Sequence, residues 1–184
     1  MQLRPAIQIQ SVVKAMSDVI LPALDPANPL AQEQARLCIG HLSVIAARLS
    51  LQYRYDCDEL GRLLALARSV QQLPGADALA PRSLTSVADG ARRGEDVLAR
   101  ARAEPGELVE AVQALRALTS QLLQEVFEND PSGRVSAELQ RLVMDASREQ
   151  LLRERAWLKV QGWEPDPDGI PAIETLLAAV HTAQ

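Results

Sequence analysis

The stretch PLAQEQARLCIGHLSVIAARLSL, residues 29–51, is the part of the chain that decides its fold. Its apolar side chains recur at alternating steps of three and four residues, which places them on one face of an α-helix. A second apolar set at steps of seven lies beside the first, so we expect this helix to be buried on several sides. The first set is Ala35, Cys38, Leu42, Ile45 and Leu49, and the second is Leu30, Leu37, Val44 and Leu51.

The same stretch predicts where the stability of the protein resides. Leu42 lies in the middle of the first apolar set, and truncation of a well-buried leucine costs about 2–5 kcal/mol. Arg36 and Arg48 lie off the first apolar set, and we expect both side chains to reach solvent. We therefore predict a large loss of stability for Leu42→Ala and a loss under about 1 kcal/mol for Arg48→Ala.

Three residues of this stretch are the weak candidates for ligand binding. Gly40 leaves room beside the backbone, either for the close approach of a second helix or for a small ligand. Cys38 and His41 are three residues apart and could share a metal ion, with residues 56–59 (DCDE) as a further source of ligands. That spacing matches no zinc motif, and a site needs more ligands than two. We expect packing roles for these residues, with no metal and no cofactor.

The composition of the chain favours helices. Apolar residues make up 47% of the 184 residues but aromatic ones only 3%, so the core must be built from Leu, Ala, Val and Ile. A chain rich in Leu and Ala and poor in aromatic residues suits helices better than sheets. The net charge of −5 argues against a general nucleic-acid surface.

Residue usage also bears on the compartment. Two cysteines do not form a disulfide framework, so we expect a reducing cytoplasm. Polar residues interrupt the N-terminal apolar run, and no run of about 18 apolar residues exists, so we expect neither a signal peptide nor a membrane span. Only Lys14 and Lys159 are lysines among 19 basic residues, an arginine bias that we attribute to a GC-rich, bacterial genome.

The pattern along the chain predicts an all-α fold: a single-domain antiparallel bundle of six or seven helices that spans residues 1–184. Prolines, glycines and capping residues set the expected boundaries. The expected helices lie near residues 5–21, 29–51, 57–73, 83–103, 105–129, 136–160 and 171–181.

Two places leave alternatives open. Residues 52–56 (QYRYD) form either a short irregular link or part of an unbroken helix. Glu149 and Gln150 interrupt the apolar stripe of the helix near 136–160, so either the helix leaves the core there or these polar groups line a cavity.

The candidate interface residues lie in the last two-fifths of the chain. The regular stripe from Leu108 to Val126 is of the kind that pairs helix to helix, and an apolar set lies off this stripe. Two tryptophans flank the proline-rich tail, where they either pin the tail to the bundle or anchor a partner. The residues are Leu118, Leu123 and Phe127, and Trp157 and Trp163.

The sequence lacks the common catalytic and cofactor-binding motifs. It has no Gly-rich phosphate loop and no Glu-x-x-His pair of a di-iron bundle, and only two histidines could serve as a base. We expect a non-enzymatic interaction or accessory protein that self-associates as a homodimer, with no nucleic-acid or membrane partner. The alternatives are a small-molecule binder with an apolar cavity between helices and, third, an enzyme without a recognisable motif.

Overall fold

The computed structural model describes residues 4–100 and 104–178. Within these ranges the chain forms helices and no strand, which confirms the prediction of an all-α helical bundle. The number of helices slightly exceeds six or seven, because short helices also form in two of the connections. The α-helices are α1 (Pro5–Ala15), α2 (Leu21–Ala23), α3 (Pro29–Arg48), α4 (Gln52–Gln71), α5 (Ala76–Leu79), α6 (Pro81–Ala99), α7 (Pro105–Asn129), α8 (Arg134–Leu158) and α9 (Ile173–Ala178).

Local sequence explains where most of the long helices begin. Four of them, α1, α3, α6 and α7, have a proline in their first turn, where its missing N–H costs no hydrogen bond. The side chain of Asn28 caps α3 by accepting a hydrogen bond from the backbone N–H of Ala31. Glu104 and Glu107 form a reciprocal capping box at the start of α7.

The helix ends differ from the sequence prediction in a few places. A π-helical turn, Met16–Ile20, joins α1 to α2, and a 3-10 turn, Lys159–Gln161, follows α8. Residues 101–103 and 179–181 of the predicted helices lie outside the described residues. Of the two alternatives left open for residues 52–56, the structure excludes the irregular link: these residues belong to α4, which a turn at residues 49–51 separates from α3. Asp56 and Asp58, which could have capped a helix beginning near residue 57, are buried inside α4.

Contacts divide the chain into two compact units, each of which is described separately. The first unit takes its chain from Met1–Gln52 and Leu152–Leu176, and the second from Tyr53–Leu151 and Leu177–Gln184. Neither unit is one continuous segment, and the single domain expected from the chain length stays a prediction.

The second unit contains the main hydrophobic core. Aliphatic residues of α4, α6, α7 and α8 meet in one buried cluster, and the stripe predicted for α7 faces it. The cluster consists of Leu60, Leu64, Ala67, Val70, Ala80, Val87, Ala91, Leu108, Val112, Leu115, Leu122, Val126 and Leu139.

Two buried glycines of α6 allow the neighbouring side chains to approach its backbone. A Cβ on Gly90 would meet Leu118 Cδ1 at 2.6 Å, and a Cβ on Gly94 would lie 3.2–3.4 Å from the side chains of three leucines. Glycine lowers the helix propensity of α6, but without a Cβ at these positions leucine side chains pack close to its backbone. The three leucines are Leu60, Leu64 and Leu115.

The first unit has a much smaller interior. Helix α1 packs along α3, yet α1 has no buried residue and α3 has only Ala35 and Val44. Near the end of the unit Ile170 and Ile173 are also buried. Among the described helices, none combines the length and the apolar character that crossing a bilayer requires.

Candidate interaction surface

Helix α3 exposes one whole face of its surface. Six exposed residues recur at steps of four, four, three, four and four, so they follow one line along the helix, while the exposed Pro29, Glu33, Arg36 and Ala47 lie off this line. Three of the large apolar side chains on this line, Leu30, Ile45 and Leu49, are 66%, 47% and 41% exposed. We call this line the α3 stripe; it consists of Leu30, Gln34, Cys38, His41, Ile45 and Leu49.

The stripe corrects the burial predicted for this helix. Cys38, Ile45 and Leu49 of the first apolar set and Leu30 of the second were expected on buried faces, and all four are exposed. Leu42, the predicted centre of stability, is half-buried. The apolar arc of α3 is wide, and its neighbours in the first unit cover only part of it.

Arg48 holds the C-terminal end of α3 in place. Its Nε and Nη2 atoms donate to the backbone carbonyl oxygens of Trp157 and Ala156 at 3.1 and 3.2 Å, which satisfies acceptors in the last turn of α8. Its Nη1 pairs with Glu174 at 3.3 Å, and its guanidinium lies 5.9 Å from the centre of the Trp157 ring. The side chain is only 11% exposed, so the prediction that it reaches solvent was wrong.

Trp163 packs beside the stripe. An ideal Cβ on Gly40 would lie 3.6 Å from Trp163 Cζ2, so the indole occupies the space that a larger residue at position 40 would fill. The ring of His41 meets the indole edge-on, with 6.3 Å between the ring centres. Trp163 remains 57% exposed. Trp163, which belongs to the same unit, thus packs against α3 at the position where Gly40 has no side chain.

Two contacts fix the segment that carries Trp163. Arg155 and Glu164 form an ion pair at 2.6 Å, and the pKa of Glu164 lies below its usual value because the Arg155 guanidinium bonds to its carboxylate. Lys159 donates to the backbone oxygen of Ile170 at 2.9 Å. These two contacts therefore hold the segment that carries Trp163, and with it the indole, beside α3.

An open groove of about 490 Å³ lies between α3 and this segment. Arg36, Leu37 and Ser43 line it on the helix side, and Val160 and Trp163 line the opposite wall. A second groove, of about 510 Å³, is lined by residues of α2, the loop after it and the start of α3.

Cys38 and His41 lie one turn apart on the same face of α3, whereas Cys57 belongs to α4. Cys38 and His41 are both exposed, and among the described residues no group of three or more His, Cys, Asp or Glu residues is placed to hold a metal ion. Cys57 is half-buried, and burial raises the pKa of its thiol, which makes the nucleophilic thiolate scarcer near neutral pH.

The structure places the interface candidates of α7 and the tail in different environments. Leu118 and Leu123 are half-buried and pack against the core of their own unit. Phe127 is 49% exposed. Trp157 is half-buried beside Arg48, whereas Trp163 lies mostly at the surface. Charged residues at positions 118 and 123 would thus disturb the core of the monomer, and Phe127 and Trp163 are the more accessible candidates.

The second unit also contains a polar network that the sequence analysis missed. Arg62 pairs with Asp58 at 3.0 Å and with Glu149 at 2.7 Å. Gln150 donates to Glu59 and to the hydroxyl of a tyrosine, so the interruption of the α8 stripe is a polar contact with α4. The spacing of four between Asp58 and Arg62 was the available signal, because such residues neighbour each other on a helix.

Comparisons of the chain with protein-family models, with curated proteins and with solved structures find no match.

Proposed function

We propose that this chain is a non-enzymatic interaction protein of the cytoplasm that associates with a second copy of itself through its first unit. One observation carries the proposal: most of the large apolar side chains at the surface belong to the first unit, whose own interior is small. They are Ile7, Val12, Val19, Ile20, Leu30, Ile45, Leu49, Leu158, Val160 and Trp163.

Physical chemistry connects this observation to association. Single exposed apolar residues are ordinary. A large number of them in one unit leaves much apolar surface in water, which is unfavourable and commonly marks an interaction site. The interior of the first unit is too small to supply much hydrophobic stabilisation, and a partner that covers these side chains would supply more. Symmetric dimers are the commonest assembly of soluble proteins, so a second copy is the simplest partner.

Sedimentation velocity of the untagged protein from low to high micromolar concentration tests the proposal. We expect the mass to rise from that of the 20.0 kDa chain toward twice that value as concentration increases. A chain that stays monomeric over this whole range would overturn self-association. A reducing agent is kept present throughout, so that the association measured is non-covalent.

The groove beside Trp163 supports a second candidate function, the binding of a small apolar molecule. Its volume of about 490 Å³ lies within the range of small-molecule sites, which is roughly 300–1,000 Å³. Native mass spectrometry of the purified protein would then show a bound molecule, and Trp163→Ala would lose it. A parent protein with no added mass, and no thermal shift with a panel of apolar ligands, would remove this candidate.

A further inference from the structure

The spacing of the α3 stripe is the same when it is read in either direction. The steps of four, four, three, four and four place a centre of symmetry between Ile39 and Gly40. Reading outward from that centre pairs Cys38 with His41, Gln34 with Ile45, and Leu30 with Leu49. In a two-fold contact residue i of one copy meets residue j of the other while j meets i, so a line with this symmetry can pair with a second copy of itself along its whole length.

We propose that two copies of this chain dimerise by packing their α3 stripes antiparallel, with the two-fold axis between Ile39 and Gly40. This assignment rests on the proposed self-association and names its surface and register. In it, Leu30 of one copy packs on Leu49 of the other, at both ends of the contact. The centre is formed by two small or flat side chains, Cys38 and His41, which allow the helices to approach closely.

The chemistry of the stripe suits a helical partner of the same sequence. None of its six residues is Asp, Glu, Lys or Arg, although these four types make up 23% of the chain. An exposed helix face that only met water would normally carry such charges. The uncharged stripe therefore brings no like charges together across the two-fold axis.

The area of the contact fits a weak dimer. A helix of 20 residues is about 30 Å long and about 10 Å wide, so the face of α3 offers roughly 300 Å² per copy. The exposed part of Trp163, which touches His41, adds roughly 100 Å². Both copies together then bury roughly 800 Å², which is less than the area of about 1,000 Å² that stable specific interfaces exceed and is of the size found in weak, transient ones. We expect a dissociation constant on the order of micromolar.

Cysteine cross-linking tests the register. Gln34 of one copy faces Ile45 of the other, whereas identical residues at either position lie about 16 Å apart along the helix axis, from 11 residues at about 1.5 Å each. In a Cys38→Ser background, the double variant Gln34→Cys/Ile45→Cys should link into a covalent dimer with diamide, which takes up the two hydrogens lost by the thiols. The single variants Gln34→Cys and Ile45→Cys should stay unlinked, because a disulfide needs Cα atoms within about 7 Å.

Cys38 itself provides a second test near the axis. Two copies of Cys38 are offset by about 4.5 Å along the axis, and helices 8–10 Å apart place their Cα atoms roughly 6–7 Å from each other. We expect diamide to link the parent chain through Cys38, with the link lost in Cys38→Ser and retained in Cys57→Ser. Both positions of the first test and Cys38 are exposed, so the variants should keep the parent's helical content, which circular dichroism measures.

The outcomes separate this surface from the broader proposal. A dimeric parent that forms no link in the double variant, or that links through Gln34→Cys alone as a parallel pair would, overturns the antiparallel stripe and leaves self-association intact. A monomeric parent at high micromolar concentration overturns both. Linking in the double variant and through Cys38, with unlinked single variants, supports the proposed register.

Discussion

The two units of the molecule differ in how they use their apolar residues. The second unit buries large aliphatic side chains of four helices in one cluster, with several leucines fully enclosed. The first unit buries few apolar side chains, the largest of them Ile170 and Ile173, and leaves most of its large apolar ones half-buried or exposed. The periodicity of the two units is similar, so an apolar helical stripe in a sequence does not tell whether the chain itself covers it. Pairs of substitutions of the same residue type in different environments test this difference.

The largest effect is expected from truncating leucines in the two units. Leu64 is 2% exposed within the core of the second unit, so Leu64→Ala should lower the free energy of unfolding by about 2–5 kcal/mol. Leu42 is half-buried in the first unit, and Leu42→Ala should cost less, about 1–2 kcal/mol. Urea denaturation measures both, and a Leu42→Ala loss equal to that of Leu64→Ala would refute the contrast.

Substitution of two glycines by leucine should give the second-largest difference in stability. Gly94→Leu forces a side chain against Leu60, Leu64 and Leu115, and overpacking of this kind costs about 1–3 kcal/mol or more. Gly106 is exposed in the first turn of α7 with nothing within 4 Å of an added Cβ, so Gly106→Leu should be neutral or stabilise by up to about 1 kcal/mol. The two thermal midpoints should move apart, and a shift of the same sign and size in both would contradict the close packing of α6.

Two arginines of α3 should differ in how much they stabilise the first unit, by less than the leucines differ. Arg48→Ala removes two hydrogen bonds to carbonyl oxygens of α8 and the ion pair with Glu174, and should cost about 1–3 kcal/mol. Arg36 is exposed, and Arg36→Ala should cost less than about 0.5 kcal/mol. Indistinguishable urea midpoints for the two variants would show that the Arg48 contacts contribute little.

The smallest effect concerns acid stability of the turn between α7 and α8. The carboxylate of Asp130 accepts hydrogen bonds from the hydroxyl of Ser132 and from the backbone N–H of Ser136, which holds its pKa well below the usual value near 3.8. Because the folded-state pKa is lowered, these bonds stabilise the fold above the unfolded pKa, and this stability is lost as pH falls through the folded pKa.

The measurement is the free energy of unfolding of parent and Asp130→Asn as a function of pH. Near neutral pH the variant should be less stable than the parent, and the difference should shrink below about pH 4. A difference that does not change with pH would mean that the charge of Asp130 is not what the turn requires.

The long helices could be predicted from the sequence, but the short connecting helices and the faces that the fold covers could not. Prolines and spacing place the starts of α3, α6 and α7 within two residues, because these signals are local. The burial of Arg48 depends on carbonyl oxygens more than a hundred residues away, which no local pattern contains. Likewise, Gly40 indicated a close approach, but only the tertiary structure identifies Trp163 as the group that approaches.

The most direct test of the central claim compares one exposed apolar residue from each unit. Ile45 of the α3 stripe and Phe127 of α7 are 47% and 49% exposed, so neither Ile45→Glu nor Phe127→Glu should unfold the chain. Sedimentation equilibrium of parent and variants then measures the dimer dissociation constant. Because a buried charge opposes association, Ile45→Glu should weaken the dimer about tenfold or more, and Phe127→Glu should leave it within about twofold of the parent. A dimer lost in Phe127→Glu and kept in Ile45→Glu would contradict the account.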